Sequence, residues 1–259
     1  MSSVFDISLV IPAFNEEARL PSTLNHLKRE IQHIRNASNI PLVFSEVIIV
    51  DDGSTDETVK VAESFKGEID GLKIVQIGIN RGKGCAVRLG SLAAKSSWVL
   101  IADADMSVPW IETEKLARFI QIKNTDIAIG SRALRDSQVK IRQSFIREHL
   151  GKTFNIFLRV LTGLSFKDTQ CGFKLFNREK LLPVLRSMTV DGFAWDVEFL
   201  LGARKHGLST VEVPIDWEHR EESRVHPLKD GMKMVFCVIK LRFKFLFKSH
   251  SLRTKENSN

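Results

Sequence analysis

The chain has 259 residues, a formal net charge of +7, 43% hydrophobic residues, three Cys and no Tyr. This balance excludes a disordered chain, a collagen-like repeat and a disulfide scaffold, and the length suits one larger α/β domain with a well-filled core. Cys85, Cys171 and Cys237 are widely spaced and odd in number, so they read as reduced thiols of a cytosolic compartment.

The opening stretch MSSVFDISLVIPAFNEE has neither the basic start nor the apolar run of a secretion signal. No stretch approaches the roughly 18 apolar residues of a spanning helix. The charge is concentrated at one end: residues 231–259 carry seven Lys/Arg against Glu256 alone, which is nearly all of the excess. A near-neutral body with a basic end points to one anionic surface or ligand, not to nucleic acid.

In chain order, short Ile/Val-rich runs at residues 7–14, 46–50, 73–77, 98–102 and 126–129 alternate with amphipathic stretches at 16–35, 55–66, 83–95 and 110–121. The short runs predict buried strands and the long ones crossover helices, hence a doubly wound, mainly parallel α/β sheet. Beyond residue 135 the pattern predicts a helix over 141–161 and a polar motif at 168–176. A helix bearing Asp196 and Glu198, a strand over 210–215 and a basic tail follow. The expected organisation is a catalytic domain over 1–225, with halves 1–135 and 136–225, and an appended tail over 226–259.

Ligands of such sheets sit at the carboxyl ends of the strands. All five ends are polar here: Pro12-Ala-Phe14-Asn-Glu16, Asp51-Asp52-Gly-Ser-Thr-Asp56, Asn80-Arg-Gly-Lys83-Gly84, Asp103-Ala-Asp105 and Gly130-Ser-Arg132. Asp103 and Asp105 can converge on one hard cation that bridges a diphosphate. Alone such a triplet can be a solvated turn; the buried approach and four polar neighbours favour metal. Asp52 can accept from a nucleoside, while Ser54 or Asp56 caps the following helix. Residues 80–84 suit either a phosphate cradle or a glycine turn, and contain neither a Rossmann fingerprint nor a P-loop. Asp196 and Glu198 could hold a sugar hydroxyl, act as a base or simply be solvated. The seven histidines lack metal-ligand spacing, and nothing singles out Cys171 as a nucleophile.

Placed on a helix, Gly231 to Lys248 aligns Lys233, Lys240, Lys244 and Lys248 in a stripe beside a broad Met/Val/Ile/Phe surface. This composition suits a helix in a membrane interface, against the alternative of a core-packed helix with a solvated lysine edge.

The ordered set P-A-F-N-E, D-D-G-S-T-D, N-R-G-K-G, D-A-D and G-S-R resembles the inverting family 2 glycosyltransferases of GT-A fold. Residues 168–176 (DTQCGFKLF), 193–198 (FAWDVE) and 212–214 (EVP) narrow the resemblance to the dolichyl-phosphate glucosyltransferase branch, with polyprenyl-phosphate mannosyltransferases as near relatives. It spans about residues 7–246. It implies that Pro12, Phe14, Glu16 and Asp52 hold the nucleoside and that Asp103 and Asp105 hold Mg²⁺ or Mn²⁺. Asn80, Lys83 and Gln170 join them around the nucleotide sugar. Asp196 matches the base of members with hydroxyl acceptors, and Arg132, Arg147 and Arg224 would meet an acceptor phosphate.

The implied reaction moves a hexose, glucose from UDP-glucose, to a polyprenyl or dolichyl phosphate, with Asp105, Asp196 and Arg132 at the reacting centre. GDP-mannose as donor, a saccharide hydroxyl as acceptor and a scaffold without chemistry are the alternatives. Residues 106–109 (MSVP) depart from the mannosyltransferase version. Without an anchoring span, attachment to the cytoplasmic face of a membrane is expected to fall on the amphipathic segments 146–161 and 231–248.

Overall fold

The five β-branched runs of the first half become strands because alternate side chains find apolar cover on both faces of one sheet. In the computed structural model, which describes residues 4–141, 155–218 and 227–256, the order begins β1 (Phe5–Ala13), α1 (Leu20–Ala37), β2 (Leu42–Asp51), α2 (Thr58–Ser64), β3 (Leu72–Gln76). It continues with α3 (Lys83–Ala93), β4 (Trp98–Ile101), α4 (Glu112–Lys123), β5 (Ile127–Ser131) and β6 (Val139–Ile141). The rest comprises α5 (155–162), β7 (Lys174–Asn177), α6 (Arg178–Ser187), α7 (Trp195–Lys205), β8 (Thr210–Pro214), β9 (Trp217–Glu218) and α8 (Pro227–Glu256).

Seven strands form a mixed sheet in the order β3-β2-β1-β4-β7-β5-β8. All neighbours are parallel except β7, which runs antiparallel between β4 and β5. Ile7, Leu9 and Ile11 of β1 point into one core with α1 and α4, through Leu20, Leu24, Leu27, Leu116 and Ile120. Val10, Ile48 and Val50 point the other way, toward Ala86 and Val87 of α3, Leu181 and Val184 of α6, and Val197 and Phe199 of α7. One period-2 pattern thus fills two cores, as a doubly wound sheet requires.

Two expectations change. The helix expected over 141–161 is helical in its described part from residue 155, whereas Ile141 ends β6, whose Val139 and Ile141 pair in parallel with Trp217 and Glu218. The C-terminal stretch is helical as expected, but one side packs on the domain: Val238 and Leu241 are buried, with Met234, Cys237 and Phe245 against the same core. Lys244 therefore does not belong to an outward stripe. Its ammonium reaches Glu198 at 2.7 Å and Thr189 Oγ1 at 2.9 Å. Among the described residues no helix is long and apolar enough to cross a membrane.

Candidate active site

The strand ends are tied to each other before they can hold anything else. Ser54 Oγ accepts the Asn15 N–H at 2.8 Å, and Asn15 Oδ1 accepts the Thr55 N–H at 2.8 Å, so the loops after β1 and β2 are cross-linked by two hydrogen bonds. Asp56 accepts the Thr58 N–H at 3.0 Å within its own turn, but the N-cap of α2 is Glu57, without a side-chain cap bond, so the capping expected of Ser54 or Asp56 is not made. Asp52 accepts the N–H groups of Arg81 at 2.9 Å and Gly82 at 2.7 Å, which ties the loop after β3 to the end of β2. Burial raises the Asp52 pKa, and these two donors only partly offset it. Gly82 has φ +114°, and a Cβ there would lie 2.5 Å from the Asp191 carbonyl oxygen, so no other residue fits. This turn lets the chain pass under residues 191–192 and start α3 with Lys83 aimed at the sheet.

The loops enclose a cleft of about 360 Å³ lined by Pro12, Phe14, Glu16, Asp52, Asn80, Lys83, Asp103 and Asp105, together with Arg19 and Phe193. Eight residues expected around a nucleotide sugar and its metal thus share one surface. Gln170, Arg132 and Asp196 are not on that lining. Arg19 was not legible as a site residue: its guanidinium holds Glu16 through two contacts of 2.7 Å, a pairing that the i, i+3 spacing could have suggested.

Below the cleft lies a charged cluster. Lys83 Nζ pairs with Asp103 Oδ1 at 2.5 Å. Asp105 Oδ1 accepts the Ser107 N–H at 2.9 Å. Arg132 grips Asp168 through Nε at 2.7 Å and Nη2 at 2.9 Å, with its guanidinium carbon 5.5 Å from the Trp217 ring. The reversed direction of β7 brings Lys174 opposite Ile101 and Ile129, at the carboxyl ends of β4 and β5. This lysine is fully buried and donates to the Cys171 carbonyl and to Asp196.

The electrostatics follow from this packing. Burial would raise the Asp103 carboxyl, but Lys83, Lys174 and Arg132 outweigh it and hold it below the usual range, so it is anionic at neutral pH. Burial opposes the Lys83 ammonium, yet Asp103, Asp196 and Asp105 keep its pKa above normal. Asp168 is likewise held low by Arg132 against its burial. Asp196 goes the other way: burial raises it, despite Lys174 and Lys83. Burial also pushes the Cys171 thiol up to about 11, which leaves no thiolate nucleophile there.

Asp103 and Asp105 fit a divalent ion by donor chemistry: both are hard oxygen ligands, and Asp103 is ionised. Among the described residues no cluster of three or more His, Cys, Asp or Glu is arranged to hold one. Such a pair corresponds to the usual Mg²⁺ arrangement of one or two carboxylates, with substrate phosphates completing the shell. Gly172 packs on Asp103 so closely that a Cβ would lie 2.2 Å from Oδ2. Glu198 is structural: its carboxylate accepts the N–H groups of Thr189 at 2.8 Å and Val190 at 2.7 Å, as well as Lys244. Arg147 and Arg224 lie outside the described residues.

A mixed α/β sheet with a carboxylate-bearing cleft at its strand ends is the GT-A architecture. The structure is similar to a mannosyl-3-phosphoglycerate synthase from Rubrobacter xylanophilus, with a TM-score of 0.66 and 20% identity, covering 95% of this chain and 75% of that one. It is also similar to a glucosyl-3-phosphoglycerate synthase from Mycobacterium tuberculosis solved with Mn²⁺, UDP-glucose and phosphoglyceric acid. There the TM-score is 0.62 and the identity 21%, over 93% of this chain and 79% of that one.

The chain belongs to glycosyl transferase family 2, whose model matches residues 8–183. The dolichyl-phosphate beta-glucosyltransferase of Dictyostelium discoideum is 34% identical over 247 residues, covering 93% of this chain and 75% of the relative. That of Homo sapiens is 32% identical over 247 residues, covering 93% and 76%.

Proposed function

We propose that this chain transfers glucose from UDP-glucose to a dolichyl or polyprenyl monophosphate, with inversion at C1, at the cytoplasmic face of a membrane. The single observation that carries the reading is the cleft in which the ends of four strands, β1 to β4, converge on Lys83, Asp103 and Asp105. The shared name of relatives aligned over most of the chain supports the glucosyl donor and the lipid acceptor. The neighbour solved with Mn²⁺ and UDP-glucose supports a divalent ion and a uridine nucleotide on this fold.

In this reading Pro12, Phe14 and Asp52 shape the nucleoside end of the cleft, with Arg19 holding Glu16 in place. Asp103 and Asp105 would hold a divalent ion, which when bound would neutralise charge on the departing diphosphate. Arg132 stays clamped on Asp168, so it acts through its positive field and by fixing the loop after β5. The acceptor phosphate, with a second pKa of about 6, is already ionised at pH 7 and needs no strong base. Asp196, buried against Lys174 and off the cleft lining, therefore removes no proton in this reading and acts through Lys174 and the field it exerts on Lys83.

Membrane contact falls on the outward faces of α8 and α5. Met232, Phe236 and Phe243 are exposed beside Lys233 and Lys240, and Ile156, Phe157 and Val160 are exposed on α5. Apolar side chains flanked by lysines suit an anionic interface.

Thermal denaturation with UDP-glucose, UDP-N-acetylglucosamine or GDP-mannose, each with Mn²⁺ or Mg²⁺, tests the donor, because a ligand bound to the folded state raises its melting temperature. UDP-glucose with metal is expected to give the largest rise, and Asp105→Ala to abolish turnover while keeping the fold. A rise with GDP-mannose alone would replace the glucosyl reading by a mannosyl one.

A further inference from the structure

The cation bound to the expected metal carboxylate is a lysine at the wall of the donor cleft. Lys83 Nζ lies 2.5 Å from Asp103 Oδ1, and the two side chains keep 22% and 36% of their exposure, so the contact can be reached from the cleft. The other two cations of the cluster are not free to leave in this way. Arg132 is forked onto Asp168, and Lys174 is fully buried between Asp196 and the Cys171 carbonyl. A lysine is a compact charge on a flexible stem with three donors, suited to exchanging one oxygen partner for another.

Charge balance gives the exchange a direction. Four carboxylates (Asp103, Asp105, Asp168, Asp196) face three cations (Lys83, Arg132, Lys174), leaving one net negative charge. A divalent ion alone turns the cluster positive, and it competes with Lys83 for Asp103. The donor's diphosphate, esterified at both ends, alone adds two further negative charges, and free UDP adds nearly one more. The two together restore the starting balance, which counts for more in a partly buried site than in bulk water.

We propose that Lys83 is a displaceable counter-ion: it holds Asp103 until a divalent ion takes that carboxylate, then passes to the donor's diphosphate, so that ion and nucleoside diphosphate bind cooperatively through this side chain. The proposal rests on the nucleotide-sugar reading above and adds to it the residue that couples metal to donor.

The test measures Mn²⁺ binding, from the electron paramagnetic resonance signal of the free ion, with and without UDP. It uses the full chain of the wild type, Lys83→Met and Lys83→Gln. Wild-type protein is expected to bind Mn²⁺ weakly alone and at least ten-fold more tightly with UDP. Both variants are expected to bind Mn²⁺ alone about ten-fold more tightly than wild type, with a UDP-dependent gain reduced by a similar factor. Linkage requires the reciprocal effect, so Mn²⁺ must also raise UDP affinity less in the variants than in wild type. Mn²⁺ affinity in either folded variant that equals or falls below wild type, or an undiminished UDP gain, overturns the exchange and leaves the nucleotide-sugar reading standing. Wild-type protein that binds no UDP with Mn²⁺ overturns both.

Discussion

Gly172→Ala separates the site from the fold. An ideal Cβ at residue 172 lies 2.2 Å from Asp103 Oδ2, 2.5 Å from Cγ and 2.6 Å from Oδ1. A relaxed contact between carbon and oxygen is roughly 3.3–3.6 Å, so the carboxylate must retreat by about 1 Å. The obstructing atoms end a side chain, and an off-rotamer Asp103 costs about 0.5–1.5 kcal/mol, partly offset by the lower unfolded-state entropy of Ala. Stability should therefore fall by no more than about 1 kcal/mol. Activity should fall much further, since a misplacement of about 1 Å at a reacting centre can cost on the order of 100-fold. The assay is organic-phase extraction of label transferred from UDP-[¹⁴C]glucose to dolichyl phosphate, at several Mn²⁺ concentrations, beside urea denaturation of the same protein. A roughly 100-fold slower variant with a nearly unchanged urea midpoint and a raised Mn²⁺ requirement is expected. A variant retaining most of its turnover, or losing turnover only in proportion to unfolding, would refute the placement of Gly172 against a working Asp103.

Lys174→Met should strand Asp196 as a buried, unpaired charge and lower stability by roughly 3–5 kcal/mol in urea titrations. Adding Asp196→Asn should recover most of that without restoring turnover. Glu46, bound by Ser8, Lys73 and the Lys95 N–H, has its pKa lowered from 4.5 to about 2: burial alone would raise it, and these partners outweigh burial. A depressed folded-state pKa contributes stability that is present above the unfolded value and lost as pH falls toward the folded one. Glu46→Gln should therefore be less stable than wild type by about 3 kcal/mol at pH 7, with the gap closing between about pH 4.5 and pH 2. Phe236→Glu with Phe243→Glu should weaken sedimentation with anionic vesicles at least ten-fold, because burying each Phe is worth about 1.5–3 kcal/mol. Unchanged sedimentation would remove α8 from the membrane contact.

The first half of the fold was legible because its strands are buried on both faces and its helices are amphipathic, so residue type and spacing agree. The strand-end motifs were legible as a set: each alone could be a turn, but successive polar ends of one parallel sheet fall on the same edge. Lys174 was not, although it stands within the motif at 168–176, because its importance depends on β7 being antiparallel and reaching the site from the opposite direction. By residue type and spacing Glu198 and Asp196 look equivalent, two residues apart beside Trp195, and only the family resemblance singles out Asp196. Their packing separates them physically, one facing Lys174 and the other the backbone of residues 189–190. Helical periodicity places the lysines of α8 in one stripe, yet Lys244 has a buried carboxylate within reach on α7, a partner that periodicity alone cannot reveal.

Inverting glucosyl transfer to a lipid phosphate is tested most directly by the linkage and anomeric configuration of the product. After reaction of UDP-glucose with dolichyl phosphate and Mn²⁺, the organic-phase product should give ¹H and ³¹P NMR signals of a single β-glucosyl phosphate diester. An α-linked glucosyl phosphate, or glucose recovered only in a water-soluble glycan, would contradict the account.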